Sequence, residues 1–172
     1  MRKRIRPKVL FVDDDPAIHD YARAISQRQK LISRHVTHPD SANRLIDRRL
    51  IAIKRLLAYK QKKRAETTDR ITKFRLTHQI RMLETLKTTP FDLIVCDINM
   101  PNGCPVGLGF ARSVKQRFKN QKIIMHSDDY ETMEILVEEL GIPNVYKGFY
   151  RERDLEKGIS EQLPKRKRKQ IN

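Results

Sequence analysis

Four short apolar runs in this chain each end on a polar or charged side chain, and that pattern limits the fold more than any other feature. "KVLFV" (8–12) stops at Asp13, Asp14 and Asp15, just before Pro16. "FDLIVC" (91–96) stops at Asp97, and "KIIMHS" (122–127) closes on Ser127, with Asp128 and Asp129 after it. "PNVYKGF" (143–149) carries Lys147 near its end, and a weaker run surrounds His35 to Thr37. Near-continuous apolar runs that alternate with helical segments predict strands of a parallel sheet, covered on both faces.

The intervening segments have helical spacing. "AIHDYARAISQRQK" (17–30) sets Ile18, Tyr21, Ala22 and Ile25 on one face. Pro16 suits the first turn of that helix, and the acid before it suits the cap. "LGFARSVKQRF" (108–118) turns Leu108, Ala111 and Val114 inward. "ETMEILVEELG" (131–141) and "RERDLEKGISEQL" (151–163) read as two further helices. No internal repeat is visible.

The stretch from Ser41 to Lys87 is different. Ile46, Leu50, Ile53 and Leu57 step by four, three and four, which makes one seam. The basic cluster "KQKKRA" follows, and "ETTD" (66–69) offers a Thr or Asp cap for a second helix. In that helix Leu76, Ile80 and Leu83 form a seam that Ile71 and Phe74 fit less well. An antiparallel helical hairpin is expected over 41–87. A first helix of ~24 residues would be ~36 Å long, so the tip should project from the body.

The chain has 172 residues, enough for one domain with an insertion, and a formal net charge of +16. That charge is concentrated. Residues 1–8 hold five basic residues and no acid, and "KRKRK" (165–169) holds five more. Residues 41–87 hold fourteen basic and four acidic residues, a balance of +10, which leaves −4 for the remainder. A mildly acidic body thus carries a basic tail at 1–7, a basic hairpin at 41–87 and a basic tail at 164–172. This distribution suits polyanions or acidic partners, or it is a solvated surface with loose ends. No run of ~20 apolar residues exists to span a membrane, and the N-terminal apolar stretch is too short for a signal peptide. The expected location is the cytoplasm. Cys96 and Cys104 form no disulfide framework or metal pattern, and Cys96 reads as a small buried hydrophobe. The five His are scattered and read as surface or packing residues.

In open parallel sheets the functional crevice lies at the carboxyl ends of the strands. That edge collects Asp13, Asp14, Asp97, Ser127 and Lys147. Grouped carboxylates repel and call for a cation or a proton. Hard oxygen ligands suit Mg²⁺. A carboxylate, a divalent cation, a hydroxyl and an ammonium together can accept and hold a phosphoryl group, with the carboxylate as nucleophile.

"VLFVDDDP", "DLIVCDINMPNG", "KIIMHS" and "VYKGF", in this order and at strand ends, resemble the receiver domain of bacterial two-component response regulators. The resemblance covers residues 8–40 and 88–163. It implies a doubly wound five-stranded parallel sheet of order 2-1-3-4-5, here over 8–163 with the hairpin inserted between strands two and three. It also implies a phosphoacceptor at Asp97, and Mg²⁺ held by Asp13, Asp14, Asp97 and the backbone carbonyl of Asn99. Ser127 would be the switch hydroxyl and Lys147 the strand-five ammonium. A phosphoacceptor of this kind is a signalling domain rather than an enzyme, and its partner is a histidine kinase or a histidine phosphotransfer protein. The sequence departs from the pattern at Gly148, where the family usually has Pro, and at Asn144, where an aromatic is common. The loop "NGCPVGLGF" departs too.

Output is expected from the receiver surface, the hairpin or the tails. The hairpin could meet a protein partner or its own copy through its seams. It could instead grip nucleic acid through its Arg and Lys residues, among them Arg44, Arg48, Arg49, Arg55 and Lys62, with little base specificity. It could also merely decorate the fold. In the alternative reading, the whole protein binds nucleic acid and the receiver fold is a scaffold. A phosphatase acting on another molecule is set aside, because "DDD" lacks the Asp-x-Asp-Thr pattern of haloacid-dehalogenase-like enzymes.

Overall fold

The apolar runs pair into one five-stranded parallel sheet of order β2-β1-β3-β4-β5, as expected. The strands are β1 (Lys8–Val12), β2 (Ile32–Val36), β3 (Leu93–Cys96), β4 (Ile123–Ser127) and β5 (Asn144–Tyr146). The structure, a computed structural model, describes residues 6–100, 105–128, 139–147 and 151–163. The helix expected at 131–141 therefore lies almost wholly outside the described residues, as do both basic tails apart from Arg6 and Pro7.

Successive strand side chains point to opposite faces, and this chain fills both. Leu10, Val12, Ile94, Cys96, Ile123 and Met125 form one apolar layer. Ala42 and Ile46 cover it from the start of α2 (Pro39–Glu66), and Phe110, Ala111 and Val114 from α4 (Val106–Arg117). Val9, Phe11, Leu93, Val95 and Ile124 form the opposite layer. It is covered by Ala22 and Ile25 of α1 (Pro16–Gln29) and by Leu155 and Ile159 of α5 (Arg151–Gln162).

Side-chain caps start α1 and α3 where the spacing placed them. Asp15 caps α1 by accepting from Ala17 N at 2.8 Å, with Pro16 in the first turn. Asp69 caps α3 (Arg70–Thr88) by accepting from Thr72 N at 2.8 Å. β2 begins earlier than the weak signal at 35–37 indicated. It is an edge strand with Ile32 exposed, so one of its apolar residues faces water and the periodic signal is diluted. In α4 the large inward residue is Phe110, and Leu108 is only partly covered.

The expected helical hairpin is present as α2 and α3. α2 is 28 residues long, or ~42 Å at 1.5 Å per residue. Ala42, Leu45, Ile46 and Leu50 pack on the sheet; beyond them α2 packs on α3, burying Ile53 and Leu57 with Leu76 and Ile80. The sixteen steps from Leu50 to Glu66 carry the tip ~24 Å past the core. Arg117 of α4 bonds Asp47, and the Arg49 guanidinium lies 5.0 Å from the centre of the Phe91 ring, so the base of the hairpin is pinned to the body. Ile71 and Phe74 are exposed, as their poor fit to the seam indicated. No described helix is long and apolar enough to cross a membrane.

Ile46 is fully buried on the sheet, whereas Phe74 is 78% exposed. Ile46→Ala should therefore lose about 2–5 kcal/mol in urea unfolding. Phe74→Ala should stay within about 0.5 kcal/mol. Similar losses from both would show that the hairpin tip is packed.

Candidate functional site: buried carboxylates at the strand ends

Register levels the two principal acids. Val12 of β1 pairs with Cys96 of β3, so Asp13 and Asp97 leave adjacent strands side by side. Asp97 N donates to Val12 O at 2.9 Å and Asp13 N to Val36 O at 3.1 Å, which holds both backbones in the sheet as it ends. Cys96 pairs with Met125, and Ser127 with Tyr146, so Ser127 and Lys147 arrive at the same edge. Lys147 N also donates to Ser127 O at 2.8 Å.

The side chains converge. Lys147 Nζ lies 2.9 Å from Asp13 Oδ2 and 2.9 Å from Asp97 Oδ2. Both carboxylates are nearly closed to water, at 3% exposure for Asp13 and 4% for Asp97. Asp13 Oδ1 accepts from Asp15 N at 3.0 Å. Asp97 Oδ1 is buried with no close hydrogen-bond partner among the described residues. Asp14 is exposed, yet one carboxylate oxygen from each of Asp13, Asp14 and Asp97 lies within 4.8 Å of the other two. Asn99 is half-buried on the loop that leaves β3.

Environment separates the two acids. Burial pushes Asp97 up to about 6, and the neighbouring Asp13 charge adds to this, against the Lys147 ammonium and the Ser127 hydroxyl. Asp13 is also pushed up by burial, but His126, Lys147 and the Asp15 amide outweigh that and hold it below the ordinary value. Burial pulls Lys147 down, and the two carboxylates more than reverse this, so its ammonium is held above the ordinary value.

The residues fit a hard divalent cation. Three carboxylates converge, a buried Asp97 oxygen has no close hydrogen-bond partner among the described residues, and the Lys147 ammonium faces two of the charges. Oxygen-only donors with few protein ligands suit Mg²⁺.

The structure thus brings together Asp13, Asp14, Asp97, Ser127 and Lys147. The scattered histidines are less incidental than their spacing indicated. His19 Nε2 lies 2.7 Å from the Asp13 carbonyl oxygen, His126 Nδ1 lies 3.9 Å from Asp13 Oδ2, and His35 stacks on Phe11 beside His19. Burial lowers His35 to about 4, so it is neutral at pH 7. A His inside the apolar "IIMHS" run was the one available signal, since a polar group there needs a partner. Gly107 was also missed. A Cβ there would sit 1.7 Å from the Asp97 carbonyl oxygen, and Gly107 N donates to Ile98 O at 3.0 Å. Bare backbone at Gly107 lets α4 seat directly under the loop that begins at Asp97. Asn144 opens β5 and Tyr146 is exposed, while Gly148, Pro101 and Gly103 lie outside the described residues.

An acid whose folded pKa lies above its unfolded value costs stability once it ionises. For Asp97 the cost grows as pH rises from 3.8 to about 6 and is constant above that. In EDTA, Asp97→Asn should therefore be more stable than the unaltered chain at pH 7.5, on the order of 1–3 kcal/mol. That difference should shrink towards pH 4. Mg²⁺ should raise the melting temperature of the unaltered chain more than that of the variant. A difference that does not change with pH would place the Asp97 carboxylate in an ordinary, solvated environment.

No family model and no curated protein sequence matches the chain. Solved structures do resemble it. Chemotaxis protein CheY4 of Vibrio cholerae is 21% identical, with a TM-score of 0.55 over 92% of this chain and 100% of that one. A CheY-like response regulator receiver domain protein from Methanospirillum hungatei is 18% identical, with a TM-score of 0.58 over 92% and 94%. Response regulator TrrA of Thermotoga maritima, in complex with Mg²⁺ and BeF, is 18% identical, with a TM-score of 0.56 over 91% and 99%. Together with the strand order, these likenesses establish that the chain has the fold of a response regulator receiver domain, extended by a long helical hairpin between its second and third strands.

Proposed function

We propose that this protein is a cytoplasmic signalling receiver that accepts a phosphoryl group on Asp97 from a phosphohistidine of a histidine kinase or phosphotransfer protein. One observation carries the reading. The half-buried Lys147 ammonium lies 2.9 Å from both Asp13 and Asp97, at the strand ends where Ser127 also arrives.

An Asp97 oxygen attacks phosphorus as the bond to the donor nitrogen breaks; with the donor ring protonated at its other nitrogen, this leaves an acyl phosphate on Asp97 and a neutral imidazole on the partner. Lys147 is placed to hold a phosphoryl oxygen. Ser127 is placed to donate to another, which would draw it towards Asp97 and bias the β4 edge towards a second surface state. Asp13, Asp14 and Asp97, with the Asn99 carbonyl, would hold Mg²⁺, which when bound neutralises charge on the phosphoryl oxygens. The protein would therefore be a phosphoacceptor, with at most catalysis of its own labelling and hydrolysis. The Mg²⁺–BeF complex of the T. maritima relative is in keeping with this assignment.

Incubation with acetyl phosphate and Mg²⁺, read by intact mass, should add one phosphoryl group to the unaltered chain. None should appear on Asp97→Asn or when EDTA is present. No adduct, or an adduct that survives Asp97→Asn, would remove Asp97 from this role.

A further inference from the structure

The hairpin carries a feature that phosphotransfer does not use. Arg44, Arg48, Ile51, Arg55, Tyr59 and Lys62 follow one another along α2 at steps of four, three, four, four and three. That spacing keeps them on one face of a helix. It is the face opposite Ile46, Ile53 and Leu57, which are buried against the sheet and α3, and all six side chains are exposed. From Arg44 to Lys62 the stripe rises eighteen steps, or ~27 Å. Ile51 is 49% exposed and Tyr59 is 56% exposed, so two apolar groups stand between the cations.

The cations of this stripe have little to do within the chain. Among the described residues only Lys62 meets a carboxylate, Glu66 at 3.8 Å on open surface. Arg44 bonds the Ser41 hydroxyl at 3.0 Å. Asp47, the acid beside the stripe, is taken by Arg117 of α4. Arg49 belongs to a different group: its guanidinium covers Phe91, and burial lowers its pKa. It is a packing residue and not part of the exposed charge.

We infer that the outer face of α2 is a docking surface for the phosphate backbone of nucleic acid. Charge complementarity selects this occupant. A rigid line of one sign, on a hairpin of balance +10, matches an extended polyanion with charges at regular intervals. A second copy of the chain would bring two such surfaces together against their repulsion. A membrane-surface helix needs a continuous apolar face, and here an Arg or Lys interrupts the stripe at nearly every turn. Backbone contacts carry affinity without sequence information, and Tyr59 supplies a flat ring on which an unpaired base can stack. This surface is independent of Asp97 chemistry.

The test uses the full chain and fluorescence anisotropy with a labelled duplex and a labelled single strand, each about 30 nucleotides long, across a series of salt concentrations. Three exposed cations of the stripe are removed together in Arg48→Ser/Arg55→Ser/Lys62→Ser. The same formal charge is removed from the tail in Lys165→Ser/Lys167→Ser/Lys169→Ser, and thermal unfolding confirms that both variants fold. The stripe variant should bind the duplex at least about tenfold more weakly, with a log–log salt slope reduced by about 2.7. The tail variant should lose distinctly less. Tyr59→Ala should weaken the single strand more than the duplex. Equal losses from the stripe and tail variants would overturn the inference, as would no nucleic-acid binding by the unaltered chain. So would a tighter grip on polyglutamate or on anionic phospholipid vesicles than on either nucleic acid.

Discussion

Two carboxylates buried side by side repel each other, and water is not there to screen them. In this protein Asp13 and Asp97 sit at the ends of neighbouring strands, and a single ammonium reaches both of them. Much of the rest of the structure serves that contact. Lys147 can reach the pair because β5 lies beside β4 in the sheet and because Lys147 N is tied to Ser127 O. The Asp13 backbone is fixed to β2 and its side chain to the Asp15 amide, so it stays in position while carrying charge. The result is asymmetric. Asp13 is kept ionised, whereas Asp97 is burdened by burial and by its neighbour. An acid in that state gains from any cation or transferred charge-bearing group that its surroundings are built to hold.

The support beneath the site is steric as well as electrostatic. α4 reaches the loop after β3 so closely that Gly107 has no room for even a Cβ. Cys96 is fully buried just beneath, and Met125 continues the same apolar layer. A shift of the Asp97 backbone would therefore have to move α4 or open the core, and packed interiors resist both. On the other side His19 reaches the Asp13 carbonyl oxygen, and His35 stacks on Phe11 beside His19.

The hairpin shows how an appended structure can be mechanically joined to a small domain without enlarging its core. α2 is one continuous helix. Its first turns cover the sheet, and its later turns pack mainly on α3. No hinge separates the two parts, so the hairpin is held at a defined angle by Ala42, Ile46, Arg49 and Asp47. A change at the sheet edge and a partner on the hairpin would share a single rigid element.

How far the sequence spoke for itself differs from residue to residue. Apolar runs ending on acids disclosed the strands, and parallel sheets announce themselves in this way because both faces are buried. The seams of Ile46 to Leu57 and of Leu76 and Ile80 disclosed the hairpin, since helical periodicity survives in any helix with one wet face. β2 was blurred because an edge strand mixes exposed apolar with covered polar residues. Asp13, Asp97, Ser127 and Lys147 were legible as strand-end residues from local pattern and family resemblance. Only the tertiary structure could show one Lys147 nitrogen touching two carboxylates, His19 and His126 reaching Asp13, Arg49 withdrawn onto Phe91, and Gly107 pressed under Asp97. The physical reason is range. Periodicity, caps and strand ends are set by neighbours within a few residues, and a sequence displays those directly. Distances between side chains 50 or 130 residues apart depend on sheet register and helix packing, which exist only once the chain has folded.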